Sequence, residues 1–191
     1  MMTRPLERLA TNHLFKLMAP AMEIVMEHPL RRKLNGPAKT LKAAGLGSGQ
    51  HVLEVGCGTG FFTVPAARLA GETGRVHSID LYPLAIERTT QKVQEAGLIN
   101  VQLTLANALA TGLPDNSFDL ILLLGVIPSP TLPLDQLLPE MHRLLKPNGE
   151  LAVWTVFPWA VCAGVNRSGL FVHAGKENGV YRFRKQSSAD R

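Results

Sequence analysis

A chain of 191 residues with a formal net charge of +5 has the size of one domain, able to bury roughly 70% of its unfolded surface without disulfide or metal staples. Its two cysteines, Cys57 and Cys162, are too few and too far apart for a disulfide framework or a C-x-x-C metal site, and no metal-ligand motif occurs elsewhere, so a reducing cytoplasm is expected. The most apolar run, residues 120–128, has about half of the roughly 20 residues a membrane span needs and is broken by Gly125, while Arg4, Glu7 and Arg8 interrupt any signal-peptide core.

In chain order, Leu14, Leu17, Met18, Ala21, Met22, Val25 and Met26 recur at helical spacing, and residues 1–36 read as a helical extension that Pro20 restarts or kinks. A short helix over 37–44 and the linker GLGSG lead into a strand at 51–55. Helix 61–70, strand 75–79, helix 83–96, strands 101–105 and 118–124, helix 133–145 and strand 149–157 follow. Alternation of this kind predicts an α/β, doubly wound, mostly parallel sheet covered on both faces. Residues 170–185 then form two β-prone runs around Glu177, Asn178 and Gly179, the pattern of an antiparallel hairpin, and residues 186–191 form a tail. The main domain therefore spans 37–185.

The chemistry concentrates at VLEVGCGTGFF, residues 52–62. An apolar strand breaks into Gly56, Gly58 and Gly60, which allow a tight turn and close ligand approach. A dinucleotide loop is G-x-G-x-x-G; here the third glycine comes one residue early and Phe61 stands in its place, which disfavours a pyrophosphate cradle. Asp80 ends the next strand about 20 residues on, the separation at which a βαβ unit returns a carboxylate to a ribose; the competing role is N-cap of the helix at Pro83. The stretch ANALATGLPDNSFDLILLLGVI, residues 106–127, carries a third signal at Asn107, whose competing role is a loop residue closing an Asx-turn.

The E-x-G-x-G-x-G of Glu54 to Gly60, Asp80 and LPDNSFDL at 113–120 together resemble class I S-adenosylmethionine-dependent methyltransferases, in the ubiquinone/menaquinone methyltransferase-like branch. The resemblance covers about residues 35–185. It implies a seven-stranded sheet whose last two strands pair antiparallel, S-adenosylmethionine as cofactor, and a cofactor site of Glu54, Gly56, Gly58, Gly60, Asp80, Leu81, Asn107, Ala108 and Gly125. In that branch the position of Asn107 is usually an aspartate that accepts from the adenine amine; asparagine brings no charge and carries two donors. Arsenite methyltransferases, which work through several cysteines, are disfavoured by the cysteine count.

The resemblance identifies the substrate less closely. Methyl transfer to a reactive nucleophile needs mainly orientation, worth roughly 7–11 kcal/mol of the barrier, and a general base only for a weak acid. His13, His28, His142 and His173 are the candidates for such a base, though a lone helical histidine is more often structural. The Asp/Asn-Pro-Pro-aromatic signature of amine methylation is replaced by Gly125, Val126, Ile127 and Pro128, which argues against exocyclic base amines as acceptors. Met18, Met22 and Met26 with Phe157, Pro158 and Trp159 would wall an apolar acceptor pocket, the methionines alternatively being plain core. The expected partner is thus a small, apolar acceptor. Basic clusters at Arg31, Arg32 and Lys33 and at Arg182, Arg184 and Lys185 are either solvated faces or a phosphate-facing surface for RNA or anionic lipid headgroups; no aromatic-rich RNA motif accompanies them, and Arg31 to Lys33 are expected to steer an acidic substrate or make weak contact with an anionic membrane surface. The alternatives are a methyltransferase-like protein that binds cofactor without turnover and a nucleotide-dependent oxidoreductase.

Overall fold

Alternating apolar side chains along the central strands feed two cores on opposite faces of one sheet. The computed structural model describes residues 36–186. The extension with Met18, Met22 and Met26, His13, His28, the cluster at 31–33 and the tail after 186 lie outside the described residues.

The described chain runs α1 (Pro37–Ala43), β1 (His51–Val55), α2 (Thr63–Ala70), β2 (Arg75–Asp80), α3 (Pro83–Glu95), β3 (Val101–Leu105), β4 (Phe118–Leu124), α4 (Leu134–Leu144), β5 (Leu145–Trp154), α5 (Pro158–Arg167), β6 (Phe171–Glu177) and β7 (Val180–Lys185). The seven strands form one sheet in the order β3-β2-β1-β4-β5-β7-β6. β7 enters antiparallel between β5 and β6, and the pairs among the first five strands are parallel.

β4 shows why a parallel interior strand reads as a continuous apolar run. Its Ile121 and Leu123 join Leu53 and Val55 of β1 against Leu137, Leu138 and Met141 of α4 and Val161 and Val165 of α5. Leu120, Leu122 and Leu124 point the other way, with Val52, onto Ala66, Ala67 and Ala70 of α2 and Leu41 of α1. Small residues on α2 let that helix lie close to the sheet, and the helix follows the glycine loop directly. The carboxyl ends of β1, β2, β3 and β4 are thereby fixed side by side.

Two stretches depart from the sequence reading. β5 begins at Leu145, four residues earlier than expected, because an irregular register lets Phe118 pair with Leu145 and Leu120 with Glu150. At its other end it stops at Trp154, short of the β-prone TVF at 155–157. Thr155 instead accepts the Phe157 N–H through its hydroxyl at 3.2 Å, and Pro158 starts α5, a helix the sequence reading did not include. Proline suits the first turn of a helix, and Val161 and Val165, one helical turn apart, supply its buried stripe.

Candidate functional site

The loop after β1 is tied to its neighbours by backbone hydrogen bonds. Gly56 and Cys57 donate to the Ile79 carbonyl at the end of β2, at 2.8 and 3.2 Å, and Gly60 donates back to Cys57 at 2.9 Å. From the other side, Thr89 of α3 donates its hydroxyl to the Gly58 carbonyl at 3.2 Å. Gly58 has φ +57°, and a Cβ placed on it would meet nothing within 4 Å. Its bare α-carbon therefore opens onto free space and leaves a cradle in which a ligand can approach the peptide.

Asp80 faces that cradle. One carboxylate oxygen accepts the Gly58 N–H and the other the Tyr82 N–H, each at 2.9 Å. The N-cap of α3 is Tyr82, with no side-chain cap bond, so Asp80 does not serve as the cap. The side chain is only 8% exposed. Burial raises its pKa, opposed by the N–H groups of Gly58, Tyr82 and Leu81. A desolvated carboxylate with lone pairs to spare favours neutral donors such as ribose hydroxyls and repels phosphate.

A cavity of about 330 Å³ lies at the carboxyl ends of the first four strands, where an open α/β sheet offers its crevice. It gathers Gly56 and Gly58 from the first loop, Asp80 and Leu81 from the second, and Asn107 and Ala108 from the third. Gly125, after β4, closes the set. Glu54 and Gly60 are not among its lining residues. Gly60 packs on Thr89, 3.2 Å from where its Cβ would stand. Glu54 lies beneath the loop, where one of its oxygens accepts from Ser78 Oγ and Thr63 Oγ1, both at 2.6 Å. Burial pushes its pKa up to about 7 against those two bonds. Cys57 is also buried, and desolvation raises its thiol pKa, so it stays protonated at neutral pH.

The remaining candidates lie elsewhere. Phe157 and Trp159 do not line the cavity; they are 48% and 70% exposed and meet edge to face, ring centroids 5.8 Å apart. They follow the end of β5, which adjoins the cavity through the Gly125 N–H donated to Trp154 at 2.8 Å. Met18 and Met22 lie outside the described residues. His142 bonds the Gln186 carbonyl at 2.9 Å, and His173 packs on Tyr181 and Phe183, both away from the cavity. In the second basic cluster, Arg182 and Arg184 approach Glu150 at 3.6 and 3.8 Å, and Lys185 bonds Asn116 and the Leu145 carbonyl.

Sequence reasoning missed Val126, Ser129, Thr131 and Leu132, which complete the wall after β4. Their signal lies in the strand order: β4 is the strand beside β1, where the order of the sheet reverses and ligands enter.

A sheet in this order with β7 reversed, a glycine cradle after β1 and an acid after β2 define the class I S-adenosylmethionine-dependent methyltransferases. The chain belongs to the methyltransferase domain family, whose pattern matches residues 46–170. It is 37% identical over 116 residues to the ubiquinone/menaquinone biosynthesis C-methyltransferase UbiE of Pseudoalteromonas translucida, covering 60% of this chain and 46% of that protein. The UbiE of Escherichia coli O1:K1 is 38% identical over 115 residues, covering 60% and 45%. The chain thus spans less than half the length of these curated relatives. A crystal structure of an S-adenosylmethionine-dependent methyltransferase from Aquifex aeolicus superposes with a TM-score of 0.71 at 25% identity, over 87% of this chain and 97% of that one.

Proposed function

We propose that the chain binds S-adenosylmethionine in this cavity and transfers its methyl group to a small, apolar acceptor held at the rim. The observation that carries the reading is the Asp80 carboxylate, buried and bonded to the Gly58 amide on the floor of an open glycine cradle. When bound, the sulfonium supplies an electrophilic methyl and a neutral thioether leaving group.

The residues divide the work by their chemistry. Asp80 accepts the two ribose hydroxyls, and Gly58 admits the chain beyond the ribose against its peptide. Leu81 and Ala108 cover the faces of the base, and Asn107 meets its edge. Gly125 and Val126 close the wall nearest the acceptor. Among the described residues of the lining, Asp80 and Tyr82 alone are titratable, and an acceptor that brings its own reactivity needs mainly orientation. A ring carbon activated by neighbouring oxygens suits that requirement. The relatives named for C-methylation in ubiquinone and menaquinone biosynthesis support it.

Phe157 and Trp159 form the apolar rim on which the acceptor rests, and Met18 and Met22 add apolar contact to the acceptor. The protein works in the cytoplasm, and Arg31, Arg32 and Lys33 provide any weak attraction to an anionic membrane surface. No helix among the described residues is long and apolar enough to cross a membrane.

Calorimetry with S-adenosylmethionine, S-adenosylhomocysteine and NAD tests the cofactor. Binding of the first two and not the third is expected. Labelled methyl transfer to a hydroxylated naphthalene or benzene ring then tests turnover; binding without transfer to any ring, thiol or amine acceptor would leave a cofactor-binding protein.

A further inference from the structure

The two outer strands of the sheet, β3 and β6, end it differently. An outer strand presents a row of backbone N–H and C=O groups and templates further pairing unless charge, proline or a bulge blunts it. β6 is blunted: its register with β7 shifts between His173 and Gly175, and it carries Lys176 and Glu177. β3, VQLTL, pairs with β2 in unbroken register and has no charge, proline or glycine. No charged residue occurs between Glu95 and Asp115, so on a chain of net charge +5 this edge is neutral and does not repel its own copy.

Hydrogen bonding decides which groups of β3 face outward. The Val76 N–H is donated to the Asn100 carbonyl and the Ala106 N–H to the Asp80 carbonyl, both at 2.9 Å. Alternate residues of a strand turn their peptide groups to opposite sides, so Gln102 and Thr104 also face β2, while Val101, Leu103 and Leu105 face away from the sheet. Among the described residues no strand pairs with that side. The side chains divide by face. Val101 and Leu103 pack beneath α2 and α3, Leu105 is 53% exposed and Ile99, just before the strand, is fully exposed. On the other face Thr104 bonds His77 at 2.8 Å, and Gln102 is exposed.

Turned antiparallel about a two-fold axis through Leu103, this strand matches itself. Val101 meets the partner's Leu105, and Leu103 meets the partner's Leu103, each pair exchanging both of its backbone hydrogen bonds. Apolar side chains then lie against apolar ones on one face, with Ile99 beside the partner's Leu105. On the other face Gln102 lies opposite the partner's Thr104. A register shifted by two residues leaves one of the three outward residues without a partner.

We propose that β3 is an interaction edge at which a second copy of this chain pairs antiparallel, centred on Leu103, to continue the sheet across a two-fold axis. The interface is small, and its affinity is on the order of 10 µM.

Sedimentation of the full chain from about 1 to 200 µM tests the pairing, and a register-specific cross-link tests its geometry. A rise towards twice the chain mass is expected. Gln102 and the partner's Thr104 form a pair without backbone bonds, with α-carbons about 4.5 Å apart, inside the roughly 4.4–6.8 Å that a disulfide spans. Gln102→Cys mixed with Thr104→Cys should therefore give a disulfide-linked dimer on oxidation, while either variant alone and the wild type, with its own Cys57 and Cys162, should not. Ile99→Lys combined with Leu105→Lys changes two exposed positions, so its melting temperature at low concentration should match wild type. It should weaken the dimer at least tenfold. A single-chain mass at the highest concentration overturns the proposal. So does a dimer that gives no cross-link in the mixture or that the double lysine variant leaves unchanged, since it then uses another surface.

Discussion

The carboxylate of Asp80 accepts the peptide N–H of Gly58 at 2.9 Å across 22 residues of sequence. One side chain therefore both shapes the cradle and lines the cavity. Asp80→Ala is expected to weaken S-adenosylmethionine binding at least tenfold, since charge-assisted hydrogen bonds contribute roughly 1.5–3 kcal/mol each. It also strands the Gly58 and Tyr82 amides, so the melting temperature falls by several degrees, a loss on the order of 1–2 kcal/mol. Calorimetry and thermal melting read the two effects separately. Near-wild-type affinity removes Asp80 from the ribose role.

The same carboxylate gives binding a pH dependence of fixed sign. Ribose donors favour the ionised form, and burial raises the Asp80 pKa in the free protein. Affinity should therefore fall as pH is lowered through that pKa, with proton release on binding. Asp80→Asn has nothing to titrate there, and its affinity, weaker throughout, should lose that slope. A wild-type profile with the same slope as the variant would sink the assignment.

Much of the fold was legible because its signals are local. The apolar run of β4, the break into Gly56 and Gly58 and the spacing to Asp80 all lie within single βα or βαβ units, and periodicity reads such units well. What stayed hidden depends on neighbours distant in sequence. Nothing local reveals that Glu54 turns to Ser78, its register partner across β1 and β2, and to Thr63 of α2. The strand-like TVF before Pro158 gave no warning that Thr155 would turn the chain into α5. The wall after β4 required the strand order, which a list of elements does not contain.

Gly56 allows a close-approach test. It has φ +77°, and a Cβ there would stand 2.5 Å from Val126 Cγ1. Gly56→Ala combines a left-handed alanine with overpacking against the cavity wall, at an expected cost on the order of 2–4 kcal/mol. Val126→Ala relieves the clash but not the backbone conformation. The double variant should therefore be more stable than the sum of the single effects allows, by about 1 kcal/mol or more. Chemical denaturation of the four proteins closes the cycle, and strict additivity would show that Val126 is not what glycine accommodates.

A substitution at Trp159 tests the proposed acceptor rim apart from the cofactor cavity. Trp159 is 70% exposed beside Phe157 and outside the cavity. Trp159→Ala should leave the Kd for S-adenosylmethionine and the melting temperature near wild type. Loss of apolar contact worth about 1 kcal/mol should raise the KM for an apolar ring acceptor about fivefold. An unchanged KM, or a weakened cofactor Kd, would take Trp159 out of the acceptor rim.

Glu54 sets a pH dependence of stability. Its pKa rises from 4.5 to about 7 on burial, so the folded protein holds that proton more tightly than the unfolded chain. The sign follows: stability from this group is full below about pH 4.5, declines as pH rises to about 7, and changes no further above it. At 1.36 kcal/mol per pH unit the decline is on the order of 3 kcal/mol, a ceiling because Ser78 and Thr63 can adjust around the ionised form. Glu54→Gln keeps an oxygen for the Ser78 and Thr63 hydroxyls and has no proton to lose. The difference between the two stability curves isolates the group from every other titration. The variant should gain on the wild type by about 1–3 kcal/mol between pH 5 and 8, read by urea denaturation at each pH. Parallel curves over that window would mean that Glu54 is ionised in the folded protein at pH 5, with its two hydroxyl bonds outweighing burial.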